Sequence, residues 1–254
     1  MRLTIDEFSL TTVSIGLHLN GQPISKGTAF TWERENEHYL ITNWHNVSDR
    51  DPNTDKHLSN KAAEPNMLDG FFNTKGKNIG DKHLVRIRIR QDSDEVAWLV
   101  HPTHKRKIDV VAIPLTGDFV SSIHFYSINK MGSPDLLVGI GMDVFVLGYP
   151  FGPGKAGLPV WKRGSIASEP DLVPHVENYL LVDTASRPGM SGSPVILRTY
   201  GTHVSPGEVT VAAGAANKRL FRRNGLVGHL YRRDHRRRPQ RIRVVRRSNP
   251  GPSM

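Results

Sequence analysis

Apolar and polar residues alternate along this chain in short bursts, without the 3.6-residue spacing that a long helix requires. The alternation is cleanest over Leu84–Arg90, where Val85, Ile87 and Ile89 fall on one face and Arg86, Arg88 and Arg90 on the other. Successive side chains of a strand point to opposite faces, so this run predicts a half-buried antiparallel strand with its arginines in solvent. Other runs of β-branched and apolar residues are bounded by Gly, Pro, Asn and Asp. They predict strands at Thr12–Leu19, Thr28–Trp32, Tyr39–Thr42, Ala97–Val100, Val110–Pro114, Val144–Gly148, Gly164–Ser168, Tyr179–Val182, Pro194–Leu197 and Val209–Ala212. Many short strands without a helical period predict an all-β sandwich or barrel. The polar stretch Ser48–Gly80 reads as a long surface loop, and Ser122–Asp135 as a connection between two halves. No repeat of solenoid length is present.

Composition narrows the class. The 254 residues are 37% apolar and 23% charged, with 23 Gly and 17 Pro, a turn-rich globular profile that excludes a disordered chain or a coiled coil. There is no Cys, which excludes a disulfide framework, a thiolate metal site and a cysteine nucleophile. No apolar run reaches the roughly 18 residues of a membrane span. The opening MRLTIDEFSLTTVSIG has no basic stretch followed by an apolar one, so the expected location is the cytoplasm. The formal net charge of +10 points at face value to a polyanionic partner. However, 13 of the 34 Lys and Arg, but only one of the 24 acidic residues (Asp234), lie in 217–254. That tail carries +12 and residues 1–216 carry −2, so nucleic-acid binding is expected only through the tail.

Three motifs carry candidate chemistry. The first is Gly27-Thr28-Ala29-Phe30 followed by Leu40-Ile41-Thr42-Asn43-Trp44-His45-Asn46-Val47. The second is Lys107-Ile108-Asp109-Val110-Val111-Ala112-Ile113, and the third runs from Asp183 to Val195 through Gly189-Met190-Ser191-Gly192-Ser193. A His closing one strand, an Asp opening another and a Ser in a Gly-rich turn are the groups that acyl transfer needs. A serine hydroxyl requires an adjacent base, and the imidazole requires a carboxylate to fix its tautomer and stabilise its charged form. Glycines around Ser191 let the backbone turn sharply, so the amides of Gly189 and Ser191 are candidates for an oxyanion hole. The turn lacks the second glycine of a G-x-S-x-G elbow. The order His, Asp, Ser on strands also differs from that of an α/β-hydrolase.

In these residues the chain resembles the trypsin-like serine peptidases, most closely the bacterial Deg/HtrA-like group, over about residues 10–200. Thr42-Asn43-Trp44-His45 is similar to that family's Thr-Asn-x-His, and Asp183 to Pro194 to its Asp-Ala-Ala-x-x-Pro-Gly-Asn-Ser-Gly-Gly-Pro stretch. Ile108 to Ala112 is similar to its aspartate strand, and Gly148-Tyr149-Pro150-Phe151-Gly152 with Gly164-Ser165-Ile166 to its Gly-x-Pro-x-Gly and Gly-x-Val/Ile segments. The resemblance implies two antiparallel six-stranded β-barrels, residues 1–125 and 126–216, with the active site in the cleft between them. It implies His45 as general base, Asp109 as its orienter and Ser191 as nucleophile of a serine endopeptidase acting on polypeptides, with no cofactor or metal. Met190 and Ser193 depart from the family's usual Asn or Asp and Gly. By the same match Ala185, with Ser186 beside it, lies in the substrate pocket and offers no carboxylate to a basic side chain, which favours a small or apolar residue there.

The family expects a further strand after the nucleophile, where this chain has Gly225-Leu226-Val227-Gly228 and then Arg-rich sequence. Reading Gly228 to Asp234 one base later permits Gly-Ile-Tyr-Thr-Gly-Glu-Ile, so about 222–254 is expected to be an out-of-frame, disordered tail. The rival is a genuine basic tail that binds nucleic acid or an acidic partner. The alternative function is a catalytically impaired trypsin-like fold, its second barrel truncated or frame-shifted, acting as a protein-binding module. Asp51-Pro52-Asn53-Thr54-Asp55 starts like a calcium loop but has Lys56 and Ala62 where Gly and Glu belong, and reads as a polar turn. His101 and His104 read as loop histidines.

Overall fold

The structure, a computed structural model, describes residues 5–60, 62–76, 81–131, 138–172 and 179–200, with side chains to residue 198. Beyond these it describes the backbone of 203–205, 208–210, 216–220, 227–230 and 240–245. The chain is mostly β-strand. The first seven strands are β1 (Thr12–Leu19), β2 (Gln22–Arg34), β3 (Glu37–Thr42), β4 (Met67–Asn73), β5 (Lys82–Arg88), β6 (Leu99–Val100) and β7 (Val111–Pro114). They form one antiparallel sheet in the order β5-β4-β1-β2-β3-β7-β6. Then follow β8 (Asp143–Gly148), β9 (Val160–Ile166), β10 (Tyr179–Asp183), β11 (Val195–Tyr200), β12 (His203–Ser205), β13 (Glu208–Thr210), β14 (Ala216–Leu220), β15 (Val227–Leu230) and β16 (Gln240–Val245). The second sheet has the order β14-β11-β8-β9-β10-β16-β15, and β12 pairs with β13 as a separate ribbon.

Each sheet therefore has seven strands where six were expected. In the first sheet the addition is β4, inside the stretch expected to be loop. Asp69-Gly70 reads locally as a turn signal, but tertiary packing overrides it. Leu68 and Phe72 are fully buried. Gly70 is required because a Cβ there would lie 2.7 Å from the Phe72 ring. Asp69 accepts two hydrogen bonds from Arg86, at 2.7 and 2.8 Å, so the expected solvated arginine face is partly spent on ion pairs. Arg90 likewise pairs with Glu64 at 2.7 Å and stacks over Trp98. The chain between β5 and β6 folds back on itself. Arg90 bridges Val96, and the Ala97 amide donates to the Ile89 carbonyl at 2.9 Å.

The Asp69 contacts carry a pH signature. The Arg86 hydrogen bonds hold the Asp69 carboxyl below its ordinary value, aided by His18 and opposed by burial. A depressed folded-state value means the carboxylate's stabilisation is present above the unfolded value, near pH 4, and lost as pH falls through the folded one. Asp69→Asn is expected to unfold at lower urea than the wild type at pH 7. The gap is expected to narrow steadily below about pH 4.

Three buried clusters organise the interior. One fills the first sheet (Val13, Ile15, Leu40, Leu68, Phe72, Ile113) and one the second (Val144, Val146, Ile166, Val182, Met190, Leu197). The third takes Phe8, Phe30 and Ile41 from the first half and Leu147 and Ile196 from the second, joining the two. Helix α1 (Glu7–Thr11), capped by Asp6 at the Phe8 amide, delivers Phe8 to that junction. Ser9 accepts a 2.8 Å bond from Trp161, and Asp6 pairs with Arg198.

Two backbone strands, β15 and β16, are described within 222–254, and β14 lies just before it. β14 pairs with β11, β16 with β10, and β15 with β16. The Arg-Ile-Arg-Val alternation of 241–244 has the two-residue period of a strand. Of the expected strand Val209–Ala212, residues 209 and 210 belong to β13 and the remainder lies outside the described residues. Among the described residues no helix is long and apolar enough to cross a membrane.

Candidate active site

Strand β3 ends at Thr42, and Asn43 turns the chain into the short helix α2 (Trp44–Ser48). His45 thus stands on a helix one turn past the strand rather than closing it. Trp44 and Val47 anchor α2 in the first core, and Asp49, at φ 56°, ends it. Asp109, just before β7, is fully buried. Its two oxygens both face His45: Oδ2 lies 2.7 Å from Nδ1, and Oδ1 accepts the His45 amide at 3.0 Å. The Asn43 side chain donates to the Asp109 carbonyl at 2.7 Å and fixes that backbone. Bonds to a charged acceptor are the stronger kind, and a buried carboxylate needs them to offset its lost hydration. With Nδ1–H donating to Asp109, the neutral imidazole carries its lone pair on Nε2.

Ser191 comes from the second half, in a tight turn before β11. The Met190 amide donates to the Arg187 carbonyl at 3.2 Å and the Ser193 amide to the Met190 carbonyl at 3.1 Å. Gly189 and Gly192 have φ of +89° and +87°, which L side chains rarely adopt. A Cβ on Gly189 would lie 2.5 Å from the Tyr149 carbonyl, and one on Gly192 would overlap the Thr28 carbonyl. Among the described residues, neither the Gly189 nor the Ser191 amide donates to a main-chain carbonyl.

The turn is tied to the first half. The Ser191 carbonyl accepts the Thr28 amide at 2.8 Å and the Asn46 side chain at 3.2 Å. The Thr28 hydroxyl donates to the Gly189 carbonyl at 2.8 Å and accepts the Tyr149 amide at 3.1 Å. Tyr149 is buried, which pushes its phenol up to about 12, and its hydroxyl donates to the Thr12 carbonyl at 3.1 Å. His45 and the Ser191 turn are thus held one residue apart, through Asn46. Thr28 and Asn46 fall within the first motif, and Tyr149 within the Gly148–Gly152 segment, without a role legible there, because the partners that define those roles are over a hundred positions away.

Both departures around the serine have physical partners. Met190 is buried in the second core, where an apolar side chain fits. Ser193 is fully buried, and among the described residues its hydroxyl has no hydrogen-bond partner. That hydroxyl occupies the space a side chain at Gly148 would need. Losing an unsatisfied buried hydroxyl is neutral or favourable by about 1 kcal/mol, so Ser193→Ala is expected to leave thermal stability unchanged or slightly raised. Gly148→Ala is expected to destabilise strongly in the wild type and distinctly less in Ser193→Ala. Thermal denaturation of both single variants and the double variant measures the coupling.

Ala185 and Ser186 lie exposed in the segment between β10 and the Ser191 turn. Beside them Thr184 donates to the Arg163 carbonyl at 3.2 Å. Asp51 Oδ1 accepts the amides of Asn53 and Thr54 at 2.8 and 2.9 Å, closing a polar turn. His101 Nδ1 accepts those of Thr103 and His104, a loop role.

Comparison with curated proteins finds none that matches. The sequence profile of the trypsin-like peptidase domain, in contrast, matches residues 27–204, a span running from the Gly27-Thr28 motif through the histidine helix and the aspartate to beyond the serine turn. With that span covering well over half of its length, the chain belongs to the trypsin-like peptidases.

Proposed function

We propose that this chain is a serine endopeptidase that cleaves polypeptides through Ser191, His45 and Asp109. The observation that carries the reading is the buried His45–Asp109 pair, two bonds deep, on a helix tied to the Ser191 turn. Ser191 attacks the scissile carbonyl while His45 Nε2 takes its proton. Asp109 holds the ring and stabilises the imidazolium. The amides of Gly189 and Ser191 receive the oxyanion, a contribution of about 3 kcal/mol for each donor in enzymes of this kind. His45 then returns the proton to the leaving amine, and water hydrolyses the acyl-enzyme by the same route in reverse.

The two halves, 1–125 and 126–216, are read as the two β-barrels of the family, with the site in the cleft between them. The Arg90–Val96 bridge, in the connection from β5 to β6, brings the chain ends of these two edge strands near each other and supports that reading. Ala185 and Ser186 are read as pocket residues that suit a small or apolar side chain before the scissile bond.

The test is covalent labelling of the full chain with a fluorophosphonate, the adduct being located by mass spectrometry. An adduct on Ser191, lost in His45→Ala, is expected. A folded chain that takes no label on Ser191 overturns the reading.

A further inference from the structure

We propose that Asn46 is a positioning residue of the reaction: its side-chain amide clamps the serine turn to the histidine helix. The inference rests on the reading of Ser191 as nucleophile and adds to it a residue outside the triad.

The argument starts from the placement of one amide group. Asn46 follows His45 directly on α2 and is buried. Its Nδ2 donates to the Ser191 carbonyl at 3.2 Å and to the Thr42 hydroxyl at 2.9 Å. The Thr42 hydroxyl in turn donates to the Thr28 carbonyl at 2.9 Å, and the Thr28 amide donates back to the Ser191 carbonyl at 2.8 Å. These four bonds close a ring through β2, the end of β3, α2 and the serine turn. Within it, Asn46 is the only member adjacent in sequence to His45, so its amide joins the residue beside the proposed base to the carbonyl of the proposed nucleophile.

The surroundings are shaped for this amide. A Cβ on Gly27 would lie 2.9 Å from Asn46 Nδ2 and 3.3 Å from the Ser191 carbonyl oxygen. The missing side chain at 27 therefore leaves the room that the Asn46 bond fills. A carbonyl held by two donors fixes the Ser191–Gly192 peptide plane, and with it the Cα from which the Ser191 hydroxyl projects. Displacement of a reacting atom by about 1 Å can cost a hundredfold in rate, so a clamp worth a fraction of that displacement is felt in the chemical step and not in binding.

The experiment follows fluorophosphonate inactivation of the full chain, separating the limiting rate constant of labelling at Ser191 from the apparent affinity for the probe. The variants are Asn46→Ala, the isosteric Asn46→Asp, Gly27→Ala and the double variant Gly27→Ala/Asn46→Ala, each checked for native near-UV circular dichroism. Asn46→Ala and Asn46→Asp are expected to lower the rate constant roughly tenfold, with affinity within about twofold of wild type. Gly27→Ala is expected to do the same by pushing the amide aside. The double variant is expected to be no slower than the slower single one, because the atom that the new Cβ strikes is gone. A wild-type rate constant in either folded Asn46 variant overturns the clamp, as do losses that multiply in the double variant. Wild-type protein that takes no label on Ser191 is a different failure: it removes the nucleophile reading, and the clamp with it.

Discussion

Asp109→Asn is expected to lower kcat by about 10⁴-fold while leaving KM nearly unchanged. The carboxylate makes two bonds to His45, one to the ring Nδ1 and one to the main-chain amide. An asparagine offers one acceptor oxygen and one NH₂ group. If its oxygen keeps the His45 amide, the NH₂ faces Nδ1 and imposes the opposite tautomer, with the proton on the nitrogen that must accept from Ser191. If the amide flips, the ring is served but two donors oppose each other at the main chain, at a fully buried position. Either way the proposed base is disabled, and the imidazolium of the proposed attack loses its counter-charge. Asp109 is fully buried, out of reach of a substrate, so binding is expected to be spared. Steady-state kinetics on any peptide the wild type cleaves, with active sites titrated by fluorophosphonate, measures the effect. A loss below tenfold would contradict the assigned role of Asp109.

The second large effect is on the fold. Gly192→Ala is expected to prevent the chain from folding at 37 °C or to lower its melting temperature by well over ten degrees. Two costs act together. At φ +87° an L residue is strained by roughly 1–2 kcal/mol, whatever space surrounds it. The new methyl would also overlap the Thr28 carbonyl oxygen and the Thr42 hydroxyl, and its nearest neighbour is backbone that cannot rotate away. Relief requires the serine turn to withdraw from β2, breaking the Thr28–Ser191 bond. For a domain of this size each kcal/mol shifts the midpoint by about 2–4 °C, so a cost of several kcal/mol is unmistakable in a thermal scan. Ser191→Ala, which removes the nucleophile alone, is the control and is expected to melt at or near the wild-type temperature.

Much of the fold was legible because its strands obey a local rule. Thr12–Leu19 coincides with β1, and the Leu84–Arg90 alternation places Val85 and Ile89 in the core. The failures occurred where long-range contacts outweigh local preference. Met67–Asn73 looks like loop because Asp69 and Gly70 are turn formers, yet one is held by Arg86 across the strand pair and the other makes room for Phe72. The five-residue helices α1 and α2 are too short for a periodic pattern to register. At the candidate site, His45, Asp109 and Ser191, the residues proposed to react, stand out through the motifs around them. The residues that fix them do not: Asn43, Thr28 and Asn46 act through single bonds to atoms 66 to 161 positions away, which no local spacing encodes.

The contact between Ser193 and Gly148 reaches beyond this one molecule. The hydroxyl of one fills the volume that a side chain on the other would require, so the two positions cannot drift independently during descent. A lineage that alters 148 first must pass through a crippled ancestor. One that first discards the hydroxyl at 193 loses no hydrogen bond among the described residues. The order of substitution is thereby constrained by sterics alone. A side chain at 148 needs room at 193 first and then a shift of Met190, whose Sδ would lie 2.9 Å from the new Cβ.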